Sequence, residues 1–236
     1  MKQNLEKVIA DFKSETGYEL EIRDGRPYYS GSLLLSNTCI TSLPEGLTVG
    51  GILYLDDCTG ITSLSDGLMV GGTILLSGTG ITSLPNGLTV GGNLDLRGTG
   101  IISLPDDLTV GGTLDLENCT GITSLPEDLT VGGTLDLENC TGITSLPDGL
   151  TVGGDLYLHN SSITSLPNGL KVGGYLDLRG TGITSLPEGL VVGGTLDLKD
   201  CSGITSLPDG LTVGESLYLS GTGITSLPDG LVVGGG

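Results

Sequence analysis

The sequence predicts a β-rich repeat solenoid with a small α+β cap at its N-terminus. Residues 110–130 and 131–151 form two successive 21-residue units that differ only at Glu127/Asp148 and Asp128/Gly149. Variants of this unit, each 20 or 21 residues long, continue from about residue 31 to the C-terminus, and such a period is typical of solenoids. With 43 glycines, one Phe and no Trp, the chain lacks an aromatic-rich globular core, whereas regularly spaced Leu, Ile and Val suit a narrow solenoid interior.

Residues 1–31 precede the repeats and predict a helix followed by a hairpin. Gly17 is a suitable stop for a helix over residues 3–15, where apolar side chains recur at helical spacing; they are Leu5, Val8, Ile9 and Phe12. Two alternating segments, 18–23 and 26–29, flank Asp24-Gly25, a dipeptide typical of tight hairpin turns. We expect this segment to cover the first coil as a cap, with a delivery or targeting segment as the alternative.

Residues 32–236 predict one array of about ten coils. A partial coil at 31–48 is coil 1, and coils 2 to 10 follow at 49–69, 70–89, 90–109, 110–130, 131–151, 152–171, 172–191, 192–212 and 213–232. Each Leu-x-Leu step predicts a short strand with both leucines buried, so that stacked coils form one parallel, concave sheet. Glycine suits a left-handed conformation in the Leu-Pro-x-Gly-Leu turn. We therefore expect Asp107 and Asp128, which replace it, to adopt that conformation with mild strain.

The length of a unit depends on one residue type. Units with cysteine at the third position after Leu-x-Leu have 21 residues, and units with Thr or Ser there have 20; the cysteines are Cys58, Cys119, Cys140 and Cys201. A residue that covaries with loop length must lie inside the turn that leaves the strand. We therefore expect these cysteines to be structural thiols that stack along the array, with a Cys119–Cys140 disulfide forming only under oxidation.

The repeated pattern V-G-G-x-L-x-L-x-x-[T/C]-x-(x)-I-x-x-L-P-x-x-L resembles a leucine-rich repeat over roughly residues 31–236. The short unit with Leu-Pro, as at Leu125-Pro126 and Leu146-Pro147, is similar to the bacterial LPX-type repeats of the YopM and IpaH families. The cysteine-bearing units resemble cysteine-containing leucine-rich repeats. The resemblance implies a parallel-sheet solenoid that recognises another protein. The chain departs from the pattern at the ladder Asn, which is Thr or Cys here, and the catalytic Cys-x-Asp motif of the IpaH family does not occur.

The formal net charge of −19 is concentrated in the repeats. Residues 1–31 hold five basic and six acidic residues, so a charge of −18 belongs to the array. Such a surface repels phosphates and anionic membranes and favours a protein partner with a basic patch, so we expect neither direct nucleic-acid binding nor membrane binding. The N-terminus lacks the apolar core of a Sec signal peptide, and no stretch is long and apolar enough to span a bilayer. We expect a protein with free thiols that is cytoplasmic or exported without a Sec signal.

The face of the predicted sheet carries two columns of outward side chains, because residues that alternate with the buried leucines point away from the core. From coil 1 to coil 10 the first column, between the two leucines, is Leu34, Tyr54, Leu75, Asp95, Asp115, Asp136, Tyr157, Asp177, Asp197 and Tyr218. The second column, two residues later, is Ser36, Asp56, Ser77, Arg97, Glu117, Glu138, His159, Arg179, Lys199 and Ser220.

These columns divide the face into zones. Leu34, Tyr54 and Leu75 form an apolar patch, which is either exposed or covered by the N-terminal hairpin. We expect four uncompensated carboxylates beside an aromatic and basic cluster; the candidate partner-binding residues are Asp115, Glu117, Asp136, Glu138, Tyr157, His159, Tyr175, Asp177 and Arg179. The acid–base pairs of coils 4 and 9 should neutralise themselves. The alternatives for the carboxylates are a solvated face or a cation site, although flat columns lack the convergent loop of calcium sites.

The sequence favours a binding protein over an enzyme. The single histidine forms no catalytic cluster, the Gly-Gly pairs lack the Lys-Ser/Thr of a phosphate loop, and neither a cofactor nor a metal site is predicted. The first hypothesis is an effector-like protein-interaction scaffold. The alternatives are an acidic decoy that mimics nucleic acid, and the specificity domain of a longer enzyme. Because no polar cap follows coil 10, we also expect either a longer protein or association through this end.

Overall fold

The computed structural model describes residues 2–234 as a solenoid of about ten coils with two parallel sheets. Met1 and the two last glycines, which the predicted cap and array include, lie outside the described residues. The helix α1 is Lys2–Thr16. The strands are β1 (Glu21–Arg23), β2 (Arg26–Tyr29), β3 (Leu33–Leu34), β4 (Thr48–Val49), β5 (Leu53–Tyr54), β6 (Met69–Val70), β7 (Ile74–Leu75), β8 (Thr89–Val90), β9 (Leu94–Asp95), β10 (Thr109–Val110), β11 (Leu114–Asp115), β12 (Thr130–Val131), β13 (Leu135–Asp136), β14 (Thr151–Val152), β15 (Leu156–Tyr157), β16 (Lys171–Val172), β17 (Leu176–Asp177), β18 (Val191–Val192), β19 (Leu196–Asp197), β20 (Thr212–Val213), β21 (Leu217–Tyr218) and β22 (Val232–Val233).

The N-terminal helix and hairpin cap the solenoid, as predicted. Helix α1 ends at Thr16, directly before Gly17, whose φ is +78° and whose N–H donates to the carbonyl of Lys13 at 2.8 Å. Strands β1 and β2 pair antiparallel around a turn in which Asp24 and Gly25 both have positive φ, as a two-residue hairpin of type I′ requires. Phe12 is buried in the same apolar core as the leucines of the coils. The cap thereby shields the first coil from water.

The Leu-x-Leu steps form the predicted parallel sheet, which has ten strands from β3 to β21. Its register is strict, because Leu114 pairs with Leu94 on one side and with Leu135 on the other. Both inward residues of each step are fully buried in coils 2 to 9, as Leu114 and Leu116 illustrate; in coil 3 the first of them is Ile74. Every coil therefore presents its intervening residue at the same height on the opposite face.

A second sheet, which was not predicted from the sequence and which is parallel from β2 onward, closes the other side of the solenoid. It has twelve strands and consists of the hairpin followed by the Thr-Val or equivalent dipeptide of each coil. In β10, for example, Val110 is buried and Thr109 is exposed. Strand β2 joins this sheet by pairing in parallel with β4. The hairpin therefore extends the second sheet and does not cover the face of the first.

The Gly-Gly pair between the two sheets lets successive coils stack closely. A Cβ atom added to Gly71 would lie 2.7 Å from the carbonyl oxygen of Gly50, and one added to Gly72 would lie 2.7 Å from that of Gly51. Real Cβ atoms do not approach a carbonyl oxygen so closely, so a side chain here would push two coils apart. The Gly-Gly pair, which departs from the leucine-rich-repeat pattern, thus has a packing reason.

The four cysteines that follow Leu-x-Leu are buried structural thiols, as predicted, whereas Cys39 is exposed. The thiol of Cys119 donates to the carbonyl of Leu96 in the preceding coil at 3.0 Å, and the hydroxyl of Thr99 donates to the same carbonyl from its own coil at 2.7 Å. Cysteine thus reaches back by one coil where threonine bonds locally, which accounts for the difference in loop length. Burial raises the pKa of Cys140 to about 12, so this thiol stays a protonated donor. All five cysteines are unbridged.

The prediction of a left-handed conformation at Asp107 and Asp128 is wrong. Positive φ occurs at Gly149, the glycine of the same turn, but at neither of these aspartates, because a Cβ atom penalises this conformation. Left-handed residues occur instead where the chain leaves each strand of the ten-stranded sheet, as at Asn118 and Asn139. Asn tolerates this conformation better than most residues, and coils 3, 4, 8 and 10 have a glycine with positive φ at the same position: Gly78, Gly98, Gly180 and Gly221.

The last described coil is less buried than the coils before it. Leu227 is 64% exposed, whereas the equivalent Leu207 of coil 9 is 7% exposed. Leu217, Leu219 and Ile224 are only partly buried. This side of coil 10 therefore presents apolar side chains to solvent among the described residues.

Candidate functional site

The candidate site lies on the outer face of the ten-stranded sheet, where strict register stacks the first-column side chains. Asp115 pairs with Asp95 and Asp136 on its two neighbours, and Tyr157 pairs with Asp136 and Asp177. Adjacent strands in a sheet lie about 4.8 Å apart. The structure therefore brings the predicted residues of coils 5 to 8 together on one continuous surface.

The aspartates of the first column have a structural role in addition to any role in binding. The Oδ1 atom of Asp115 accepts the N–H of Glu117 at 3.1 Å, and Oδ1 of Asp136 accepts that of Glu138 at 2.9 Å. Asp177 accepts the N–H of Arg179 in the same way. The bond satisfies an N–H at the point where the chain leaves the strand. It leaves one oxygen of each carboxylate for other contacts.

Two of the four carboxylates predicted to be uncompensated are in fact paired. Arg97 Nε lies 3.3 Å from Oδ2 of Asp115, in addition to the pair that Arg97 makes with Asp95 in its own coil. Glu138 Oε1 lies 2.7 Å from Nε2 of His159. The prediction failed because these side chains reach into a neighbouring coil. Within residues 2–234, Glu117 and Asp136 make no ion pair.

Burial and mutual repulsion disfavour ionisation of the stacked aspartates. Burial is the largest cause that raises the pKa of Asp115, to about 6, and the nearby charges of Asp136 and Asp95 add to it. Burial likewise raises the pKa of Asp136, with a further contribution from Glu138. A positive charge placed beside these aspartates would favour their ionised form.

The acid–base pairs of coils 8 and 9 neutralise themselves. Asp177 is fully buried, with its Oδ2 atom 2.6 Å from Arg179 Nη2, and Lys199 Nζ lies 3.3 Å from Asp197. His159 Nδ1 lies 3.4 Å from Oδ2 of Asp177, but this nitrogen is buried without a hydrogen bond in the described residues. Because Asp177 is inaccessible, its contribution to any binding surface is to position Arg179.

Two tyrosines form a fixed pair beside the carboxylates. The ring centroids of Tyr157 and Tyr175 are 5.7 Å apart with an interplanar angle of 59°. Tyr157 donates to Oδ2 of Asp155 at 3.3 Å, Tyr175 donates to Asp197 at 3.1 Å, and Oδ1 of Asp155 accepts the N–H of Tyr175 at 2.7 Å. Asp155 was missed by sequence reasoning, although its place just before Leu-x-Leu matches that of Tyr175 and could have identified it.

The apolar patch of coils 1 to 3 remains on the surface. Leu34 is 63% exposed, and Tyr54 and Leu75 are partly buried. The hairpin joins the other sheet, so of the two alternatives for this patch the structure has the exposed one. The patch therefore lies on the same open face as the acidic residues.

The described residues offer no metal centre and no membrane span. Within residues 2–234, no group of three or more His, Cys, Asp and Glu side chains is arranged to hold a metal ion. No helix in that range combines the length and the apolar character that crossing a bilayer demands.

Compared with protein-family models, with curated proteins and with solved structures, the chain matches none of them. The structure by itself establishes a parallel-sheet solenoid of about ten turns, with repeats of about 20 residues and regularly spaced leucines. The LPX type and a bacterial origin stay predictions.

Proposed function

We propose that this chain is a protein-interaction scaffold that binds a basic segment of a partner protein. The site is the outer face of the ten-stranded sheet from coil 5 to coil 8. Repeat solenoids commonly mediate protein interactions, because stacked coils provide an extended surface of fixed geometry. The resemblance to LPX-type repeats suggests that such a scaffold would act as a bacterial effector.

The observation that carries this proposal is the in-register carboxylate row of coils 5 and 6. Asp115 and Asp136 stack directly, Glu117 and Asp136 are unpaired among the described residues, and burial together with the neighbouring charges raises the pKa of Asp115. A partner's lysine or arginine placed on this row would relieve the repulsion. Charge complementarity of this kind steers association and selects partners.

Binding without catalysis is the role that the side chains support. The single histidine is held by Glu138 on one side and faces Asp177 on the other, so it is not poised beside a nucleophile. Four of the five thiols are buried, and each of these donates a hydrogen bond to a leucine carbonyl. We therefore propose no enzymatic activity for this face.

The test compares two double variants with the same charge change in the same two coils. Glu117→Gln/Asp136→Asn removes the charges of the two carboxylates of coils 5 and 6 that make no ion pair on this face among the described residues. Glu127→Gln/Asp148→Asn removes the charges of two exposed carboxylates on the turns. Fluorescence anisotropy would follow fluorescein-labelled hexalysine at about 20 mM and about 300 mM salt. We expect the first variant to bind about 10-fold more weakly than wild type and the second to stay within about 2-fold. Equal weakening by both variants would mean that net charge, and not this site, attracts the peptide.

One observation favours a second function, an acidic decoy of nucleic acid. The turn edge of the solenoid carries an exposed carboxylate in every coil except those with Asn86 and Asn168; these are Glu45, Asp66, Asp106, Glu127, Asp148, Glu188, Asp209 and Asp229. A row of charges about 4.8 Å apart resembles the charge density of a nucleic-acid strand. Displacement of DNA from a basic DNA-binding protein by wild type, but not by Glu127→Gln/Asp148→Asn, would favour this function over the scaffold.

A further inference from the structure

We propose that Tyr157 and Tyr175 form a seat for a single ammonium or guanidinium group of the partner, which lies over the Tyr157 ring beside Asp136 and Asp155. The inference rests on the proposed function and deepens it, because it names the chemical group that the scaffold recognises. It follows from a comparison between coils of the same molecule.

A cation already lies over an equivalent tyrosine elsewhere on this face. Lys199 Nζ is 4.0 Å from the ring centroid of Tyr218. Lys199 belongs to the second column of coil 9, and Tyr218 belongs to the first column of coil 10. In the cap, Arg23 lies over the ring of Tyr28 at 3.7 Å. Exposed tyrosine faces in this protein thus attract cations, as expected from the negative face of an aromatic ring.

The Tyr157 ring lacks such an internal cation among the described residues. The residue that corresponds to Lys199 in the preceding coil is Glu138, and Glu138 pairs with His159 instead of covering the ring. The repeat therefore reproduces the tyrosine of coil 10 in coil 7 but replaces its cation with an anion. A cation from another molecule would restore the arrangement.

The surroundings of the ring suit a cation better than those of the other first-column tyrosine without one, Tyr54. Tyr175 provides a second aromatic wall, with ring centroids 5.7 Å apart, and Asp155 holds both tyrosines through two hydrogen bonds. Burial, and then the charges of Asp155 and Asp136, raise the pKa of Tyr157. The carboxylates that oppose ionisation of this phenol also create a negative potential that attracts an ammonium group.

The test removes the aromatic face without changing charge. Tyr157→Leu should fold, because leucine occupies the same column at Leu34 and Leu75, and circular dichroism would check this. Tyr54→Leu is the matched control on the same sheet, and Tyr157→Phe retains the ring but not the hydroxyl. For labelled hexalysine we expect Tyr157→Leu to weaken binding by about 3- to 30-fold, with Tyr54→Leu and Tyr157→Phe within about 3-fold of wild type.

The outcomes separate the seat from the scaffold. If neutralising Glu117 and Asp136 weakens binding but Tyr157→Leu does not, the seat is overturned and the scaffold stands. If wild type does not bind hexalysine at low salt, the scaffold fails, and tetramethylammonium chloride tests the seat alone. A saturable shift of the Tyr157 ring protons in NMR spectra, without one at Tyr54, would support the seat, and its absence would overturn it.

Discussion

Coils 5 and 6 differ from coils 8 and 9 in the charge of the residue that follows each Leu-x-Leu strand. All four carry Asp in the first column, and each Asp accepts the N–H of the residue two positions later. In coils 8 and 9 that residue is Arg179 or Lys199, which neutralises the aspartate. In coils 5 and 6 it is Glu117 or Glu138, so negative charge accumulates. The difference teaches that one residue per coil sets the local charge of this face, while the hydrogen bond from its N–H to the aspartate is kept in all four coils.

The largest expected effect comes from making coil 5 resemble coil 8. In Glu117→Arg the new guanidinium should pair with Asp115, as Arg179 pairs with Asp177, and replace the negative end of the row with a neutral pair. We expect hexalysine binding to weaken by about 10- to 100-fold, measured by fluorescence anisotropy. Ser220→Arg, at the same column position in coil 10, is the control, and an equal loss with that variant would contradict a local effect.

A second prediction uses the opposite environments of Asp115 and Asp177. Asn preserves the Oδ1 acceptor in both cases and removes only the charge. Asp177→Asn should lower the free energy of unfolding by about 1–3 kcal/mol, because the buried carboxylate loses its charge-assisted pair with Arg179. Asp115→Asn should be neutral or stabilising near pH 8. Urea denaturation of both variants would measure this, and similar destabilisation by both would refute the distinction between the two zones.

The repeat specified the ten-stranded sheet well because its leucines alternate with outward residues in every coil. The columns, the burial of Leu114 and Leu116, and the pairing of Asp95 with Arg97 followed directly from that alternation. The second sheet did not, since a Thr-Val dipeptide such as Thr109–Val110 is too short for a periodic pattern. It is recognisable only when its repetition in every coil is considered together with the stacking that Gly-Gly permits.

The details of the site could not be predicted because they depend on how side chains cross between coils. Arg97 follows Asp95 by two residues in the sequence, yet it also reaches Asp115 in the next coil. His159 likewise contacts Glu138 in the coil before it and faces Asp177 in the coil after it. A one-dimensional pattern gives the column of each residue but not the direction in which a long side chain extends. For the same reason, the burial of Asp177 beneath Arg179 was missed.

The smallest expected effect is a pH dependence of stability that belongs to Asp115 and not to exposed carboxylates. Its pKa is raised from 3.8 to about 6, mainly by burial, so between these values the folded state binds more protons than the unfolded state. Stability should therefore fall as pH rises from about 4 to about 6 and then level off, since the ionised carboxylate is less well accommodated in the folded protein. Removing this carboxylate should make the free energy of unfolding fall by about 1–2 kcal/mol less over this pH range.

The measurement is the difference in unfolding free energy between wild type and Asp115→Asn at a series of pH values, in which contributions from all other groups largely cancel. Asp148→Asn, on an exposed turn of the adjacent coil, should give a difference that is nearly independent of pH in this window. If the Asp115→Asn curve were as flat as that control, burial and the neighbouring charges would not destabilise the ionised carboxylate of Asp115 in the folded protein. A basic partner would then gain no free energy from Asp115 itself, and its preference for coils 5 and 6 would depend on Glu117 and Asp136 alone.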